Sequence, residues 1–251
     1  MATFVGTSGW SYKEWKGSFY PPKLPANEML RYYAERFDAV EVNNSFYRMP
    51  SERVLAGWAE QVPDRFRFVM KASRRITHNQ RLRNEDGSLS FFLRAVNPLG
   101  HRLGPTLFQL PPTFKVDVQR LREFLDLLAR RWYAALEFRH ASWFIQEVYD
   151  LLHSRNVPLV TVDEDSLDGA GAPLVCTATW GYLRLRRTSY STAQLVSWAA
   201  RIRAQPWTDA YAFLKHQEGS PTGPAAAEEL RAILSAKGDE DHDSEQARSL
   251  L

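Results

Sequence analysis

The chain reads as an α/β protein built as a single (β/α)₈ TIM barrel, and three observations predict this. Eight short β-rich runs recur along 251 residues, alternating with stretches of helical periodicity, the pattern that parallel strands joined by right-handed crossovers require. That length suits one large barrel with one core. Polar residues of the runs also gather at their C-terminal ends in one side-chain parity, the end at which barrel strands carry chemistry.

The elements follow in order. TFVGTS (3–8) is the first strand, and ANEMLRYYAERF (26–37) the first helix. AVEVN (39–43) precedes SERVLAGWAEQV (51–62), with Ser51 placed to cap the helix N-terminus. FRFVMKA (66–72) is followed by SFFLRAVNPL (90–99), and PTLFQL (105–110) by the clearest helix, VDVQRLREFLDLLARRW (116–132), where Leu121, Phe124, Leu125 and Leu128 form one apolar stripe. AALEFR (134–139) leads to SWFIQEVYDLLHSRN (142–156). PLVTVD (158–163) leads instead into EDSLDGAGAPLVCTAT (164–179), whose Gly and small residues predict a short or missing helix between strands 6 and 7. GYLRLR (181–186) with TAQLVSWAARIRA (192–204), and AYAFLKH (210–216) with AAAEELRAILSA (225–236), complete the barrel. Residues 1–236 form the domain, and the acidic KGDEDHDSEQARS within 237–251 is expected as a flexible C-terminal tail.

Hydrophobic residues at 44% and charged residues at 24% are ordinary for a globular protein and exclude wholesale disorder. The single cysteine, Cys176, allows neither an intramolecular disulfide nor a multi-cysteine metal site. Nothing in the chain matches a secretory leader or an apolar span of ~18 residues, so a cytoplasmic protein with no membrane partner is expected. A net charge of +3 suits an anionic ligand and falls short of the dense Lys/Arg patch of a non-specific DNA coat.

Sorting strand residues by parity separates two faces. One carries Val40/Val42, Phe68/Met70, Phe108/Leu110, Leu136/Phe138, Val160/Val162, Leu183/Leu185 and Ala212/Leu214, all apolar, as a face packed against helices should be. The other carries Glu41/Asn43, Val69/Lys71, Leu107/Gln109, Glu137/Arg139, Thr161/Asp163, Tyr182/Arg184/Arg186 and Phe213/Lys215. Seven strands thus deliver polar groups to the barrel mouth. Ion pairs that merely close the mouth would use the same residue types. The catalytic candidates are Glu41, Lys71, Glu137 and Asp163. The substrate-binding candidates are Asn43, Tyr47, Gln109, Arg139, His140, Trp143, Arg184, Lys215 and Trp10. Cations outnumber carboxylates, which leaves room for an anion held by Arg.

The segments GTSGWSYKEWKGSFYPP (6–22), VEVNNSFYRMP (40–50), FVMKASRRITH (68–78), LFQLPPTF (107–114), LEFRHASWF (136–144), DED (163–165) and YLRLR with YS (182–191) resemble the YecE-like family, a group of unknown function. The resemblance runs from about residue 4 to 235 and implies a TIM barrel without implying a reaction. Two departures stand out. Where many relatives have Arg-x-His-Gly after the seventh strand, this chain has Arg184-Leu185-Arg186-Arg187. Where Phe-Asn-Asn is common after the eighth, it has Leu214-Lys215-His216. Both add positive charge.

Three chemistries compete. A hydrolase or lyase would act on a small anionic or phosphate-bearing substrate, with Glu137 or Glu41 as general acid/base and Lys71, Arg139 and Arg184 holding negative charge. A divalent-metal nuclease or isomerase would draw on Glu41, Glu137, Asp163, His78, His140 and His216, as the fold-level likeness to the xylose isomerase and endonuclease IV group implies. No His-x-x-x-His signature supports this metal site, and no cofactor is assigned. Non-catalytic nucleotide or nucleic-acid binding would use RRITHNQRLR (74–83) with Trp10, Tyr12, Trp15, Phe46, Tyr47, Trp143 and Phe144 as loop aromatics.

Overall fold

Each parallel strand places its C-terminus at the same end of the molecule, so the connections alone set where the site forms. The computed structural model describes residues 1–83, 87–128, 132–165, 173–215 and 222–248. Its strands are β1 (Ala2–Thr7), β2 (Ala39–Val42), β3 (Arg67–Lys71), β4 (Leu103–Gln109), β5 (Ala134–Glu137), β6 (Thr161–Asp163), β7 (Trp180–Leu185) and β8 (Asp209–Leu214). The helices are α1 (Met29–Ala34), α2 (Glu52–Glu60), α3 (Ser88–Ala95), α4 (Val118–Leu127), α5 (Gln146–Ser154), α6 (Thr192–Arg203) and α7 (Thr222–Arg248).

The strands form two parallel four-stranded arcs, β1-β8-β7-β6 and β2-β3-β4-β5. Single bridges close the arcs into a TIM barrel, Ser8 with Glu41 at one seam and Leu136 with Leu159 at the other. At the first seam a side chain on Gly6 is impossible, because its Cβ would lie 1.9 Å from the Ala39 carbonyl oxygen. The Tyr33 hydroxyl completes that seam: it accepts from the Thr7 amide at 2.7 Å and donates to the Ala39 carbonyl at 3.2 Å.

Two apolar layers follow from the alternation. The larger lies between strands and helices and includes Val40, Phe68, Phe108, Leu136 and Leu183. The smaller fills the barrel interior with Val69, Leu107, Ala135 and aromatic rings, Phe4 stacking on Tyr211 at 4.6 Å between centroids. This aromatic plug leaves only the C-terminal end of the interior for polar groups.

Several boundaries differ from the periodicity. The helix expected over 142–156 begins at Gln146, because Trp143 is fully buried in a preceding 3-10 turn and stacks on Phe138 at 4.5 Å. The helix expected over 90–99 spans Ser88–Ala95 and gives way to 3-10 turns over Asn97–Arg102, where Pro98 opens the turn and Gly100 takes a φ of 55°. Ser51 caps α2 as expected, accepting from the Val54 amide. Between β6 and β7 the described residues contain no helix, in line with the Gly-rich crossover. The backbone of α7 runs on to Arg248, through much of the stretch expected as a flexible tail. Among the described residues no helix is long and apolar enough to cross a membrane.

Candidate functional site at the barrel mouth

Register decides which side chains reach the mouth. In a parallel pair, side-by-side residues share a face, so Gln109 beside Glu137 on β4 and β5 and Arg184 beside Phe213 on β7 and β8 all point inward. Glu41 is set inward by its pairing with Val69. The inward register expected for β2, β3, β4, β5, β7 and β8 is therefore the observed one.

Strand β6 is the correction. Val162 pairs with inward Arg184, while Asp163 pairs with outward Leu185. Asp163 points at the helix layer, where its carboxylate accepts from Trp198 Nε1 at 3.0 Å, the Tyr190 hydroxyl at 3.1 Å and Arg187 Nε at 2.7 Å. Val160 and Val162 face the interior instead. PLVTVD carries plausible inward residues on both parities, and the terminal Asp suggests the wrong one. The next residue, Glu164, supplies the mouth carboxylate from this strand, within 3.9 Å of Arg139 and 3.6 Å of Arg186.

Arg184 organises the floor of the mouth. Its Nη1 donates to Glu137 Oε2 and its Nη2 to Glu41 Oε1, both at 2.7 Å, and all three side chains are buried. Glu41 also accepts from Ser8 Oγ at 2.8 Å, Asn43 Nδ2 at 3.0 Å and the Tyr182 hydroxyl at 2.8 Å. Glu137 also accepts from Gln109 Nε2 and Arg139 Nε, each at 2.7 Å. Gln109 turns its oxygen to Lys71, accepting from Nζ at 2.8 Å, so one connected chain runs from Lys71 across the floor to Ser8.

These partners set the charges. Burial alone would raise both carboxyl pKa values, but Arg184 outweighs it, helped by the other donors, and holds Glu41 and Glu137 at about 2. Burial raises the Tyr182 hydroxyl, and Glu41 beside it adds to the effect. Lys71 moves the other way. Burial is the largest cause and the Arg184 charge the next, and the ammonium is lowered to about 8. Its Nζ lies 4.3 Å from the Phe46 ring centroid.

Above this floor opens a cavity of about 300 Å³ lined by Ser8, Tyr12, Asn43, Tyr47, Lys71, Gln109, Arg139, Arg184, Arg186 and Lys215. Of the sequence candidates, Asn43, Tyr47, Lys71, Gln109, Arg139, Arg184 and Lys215 meet here, while Glu41 and Glu137 lie beneath, fully buried. Three others do not. Trp10 packs edge-on against Trp58 at 4.8 Å, in the layer between strands and helices. Trp143 donates from Nε1 to the Phe114 carbonyl. His140 caps its own 3-10 turn, Nδ1 accepting from the Ser142 amide.

Ser8 is absent from the sequence candidates, while Arg186 is read there only as an inward strand residue and Tyr12 only as a loop aromatic of the nucleic-acid reading. The parity of β1 exposes Ser8, since Phe4, Gly6 and Ser8 alternate inward; Arg186 follows from the same register as Arg184. Tyr12 has no strand parity to place it; its signal is only that of an aromatic in the first loop. Among the described residues no three of His, Cys, Asp and Glu meet as a metal site, and His216 lies outside the described residues.

Comparison with known proteins agrees with this architecture. The model of a family described as "Protein of unknown function DUF72" matches residues 4–249. UPF0759 protein YecE of Escherichia coli strain K12 is 32% identical over 173 residues, covering 66% of this chain and 61% of its own length. UPF0759 protein YunF of Bacillus subtilis is 29% identical over 193 residues, covering 70% and 66%. The chain thus spans a little over three fifths of its Escherichia coli relative. The crystal structure of a DUF72 family protein from Thermotoga maritima superposes with a TM-score of 0.82 at 27% identity, over 93% of this chain and 99% of that one. One from Enterococcus faecalis, at 20% identity, shares the fold with a TM-score of 0.76 over 92% and 95%. The family model spans nearly the whole chain, and the barrel recurs in these solved structures: the chain belongs to the YecE-like DUF72 family of proteins of unknown function.

Proposed function

We propose that the barrel mouth binds a small, multiply charged anion and acts on it as a lyase-type enzyme, with Lys71 as the group that gains and loses a proton near neutral pH. The carrying observation is the cavity lining: Lys71, Arg139, Arg184, Arg186 and Lys215 surround it, and among the described residues the nearby carboxylate Glu164 stands outside that lining, against Arg139 and Arg186. Guanidinium groups on facing strands suit bidentate binding of a phosphate or carboxylate.

The geometry favours a lyase over the hydrolase alternative. A general acid must hold a proton at working pH. Glu41 and Glu137, at about 2, are ionised, sealed from the cavity and occupied by donors. Their work in this reading is to fix Arg184 and, through Gln109, the Lys71 amine.

Thermal shift and calorimetry with phosphate, pyrophosphate and small dicarboxylates test the binding half. The expected result is a melting temperature that rises with ligand charge, an effect weakened by added salt and lost in Arg186→Gln/Lys215→Gln. Equal shifts in wild type and the double variant would overturn the reading.

A further inference from the structure

Lys71 lines the cavity, yet among the described residues it has no carboxylate within ion-pair distance. Its Nζ donates to the neutral Gln109 oxygen at 2.8 Å and lies 4.3 Å from the Phe46 ring centroid. Burial and then Arg184 oppose its positive charge most, Glu41 and Glu137 beneath offset part of this, and Arg186 adds to the opposition. A lysine built for structure is normally given a counter-ion; this one is half-buried beside cations, so its ammonium gives up a proton far more readily than that of a surface lysine. Two hydroxyls of the lining, Ser8 and Tyr12, are not activated. Ser8 donates to a carboxylate too acidic to take its proton, and Tyr12 donates to the Ser8 carbonyl with its own pKa raised to about 12 by burial and the nearby Glu41. An amine nucleophile beside cations fits an electrophile that brings its own negative charge, and the electrophile that an amine captures reversibly is a carbonyl.

We propose that Lys71 is a Schiff-base lysine, condensing with the carbonyl carbon of a small anionic aldehyde or ketone whose charge is held by Arg139, Arg186 and Lys215. The inference deepens the anion-binding reading and rests on it. The Lys71 ammonium releases one proton to solvent at the open mouth, and the nitrogen lone pair forms the C–N bond as the carbonyl π electrons move to oxygen. That oxygen takes a proton from solvent and the nitrogen, which attack has left positively charged, gives one up, so that a neutral carbinolamine with its nitrogen lone pair restored is formed. A second proton on the oxygen lets it leave as water while the nitrogen lone pair closes the C=N bond. The net change is ammonium plus carbonyl to iminium plus water, with charge conserved. The iminium then withdraws electrons from the bonds of the neighbouring carbon, which is what a lyase needs.

The test traps the iminium. The full chain is incubated with cyanoborohydride and one of four probes: glyoxylate, pyruvate, dihydroxyacetone phosphate, or uncharged acetone. Each adduct adds the mass of the probe less one oxygen, and peptide mapping locates it. Lys71 is expected to be labelled by at least one anionic probe well ahead of exposed Lys13 and Lys23, and at least tenfold faster than by acetone. Whether the oxo acids or the phosphate ester label faster identifies which anionic group the mouth accepts. The rate should rise through an apparent pKa near 8 instead of 10.5. Lys71→Met and Lys71→Arg should lose the adduct while retaining cooperative melting, and Arg186→Gln should slow it with Lys71 still present. Labelling spread evenly over surface lysines, or no preference for anionic over neutral probes, overturns the inference. Phosphate binding that persists without any Lys71 adduct overturns it alone; failure of phosphate and the charged probes to bind overturns the anion reading as well.

Discussion

Arg184 is the residue whose removal has the clearest consequence. It is the cation between two buried carboxylates, and deleting one partner of such a cluster leaves charge uncompensated in low dielectric. Arg184→Met should cost about 3–5 kcal/mol in chemical denaturation. The same cluster fixes the acid response. Glu41 and Glu137 are held at about 2, against an ordinary 4.5. They stabilise the fold fully above pH 4.5, and that contribution is lost as pH falls toward 2. In Arg184→Met the acid-unfolding midpoint should move upward. Lys71 has the opposite effect. Its pKa is depressed from 10.5 to about 8, so the unfolded chain binds more protons between those values, and wild-type stability gains there as pH rises. Lys71→Met should therefore be more stable than wild type at pH 7, the difference shrinking between pH 8 and 10.5 in paired denaturation curves. Alternation alone identified most of these residues, because charges on one parity of a barrel strand have only the mouth to occupy. What it did not show is that Glu41 and Glu137 would be saturated by donors, since hydrogen-bond counts depend on partners from Ser8 to Arg184 brought together across the barrel.

At the scale of elements, the strands were more legible than the helices. Strand parity is a two-way choice enforced by burial, whereas helix ends depend on local traps such as buried Trp143 or the Pro98 turn. The exception, β6, shows why a short strand is hard to read: with three residues paired and Val, Thr and Leu on competing parities, a terminal Asp tips the choice. Its observed position makes a prediction. Asp163→Ala removes the acceptor for Trp198 and Tyr190, anchors of α6 and its preceding loop, and should cost about 1–3 kcal/mol by leaving buried donors unsatisfied. Phosphate affinity should remain at the wild-type value; a large loss would place Asp163 in the site after all. Gly6→Ala acts at the seam between β1 and β2. A Cβ 1.9 Å from a backbone oxygen cannot be relieved by rotating a side chain, so a loss of about 2 kcal/mol or more is expected in thermal melts.

For the whole molecule, the eight-strand barrel was visible in the alternation, but its division into two arcs was not, because seams are set by how closely strands approach. One bridge at each seam, against continuous ladders within each arc, predicts uneven stability. Amides at the β5/β6 seam, Leu136 and Val160, should exchange with solvent through a lower-energy opening than those inside β3 or β8, as measured by native-state hydrogen exchange. Protection equal to that of the arc interiors would show that the barrel opens only as a unit.

The Arg184 bridge joins these arcs, since β7 belongs to one and its glutamate partners on β2 and β5 to the other. Closure of the barrel and the shape of its floor are therefore a single inheritance. The rim is another matter. Arg139, Arg186 and Lys215 stand above the floor at strand ends, where exchange of one side chain disturbs no seam. Arg186 and Lys215 also lie in the two segments where the sequence resemblance to the family breaks down. A lineage can alter its substrate at the rim while its skeleton stays fixed, so relatives with the same floor need not share a ligand.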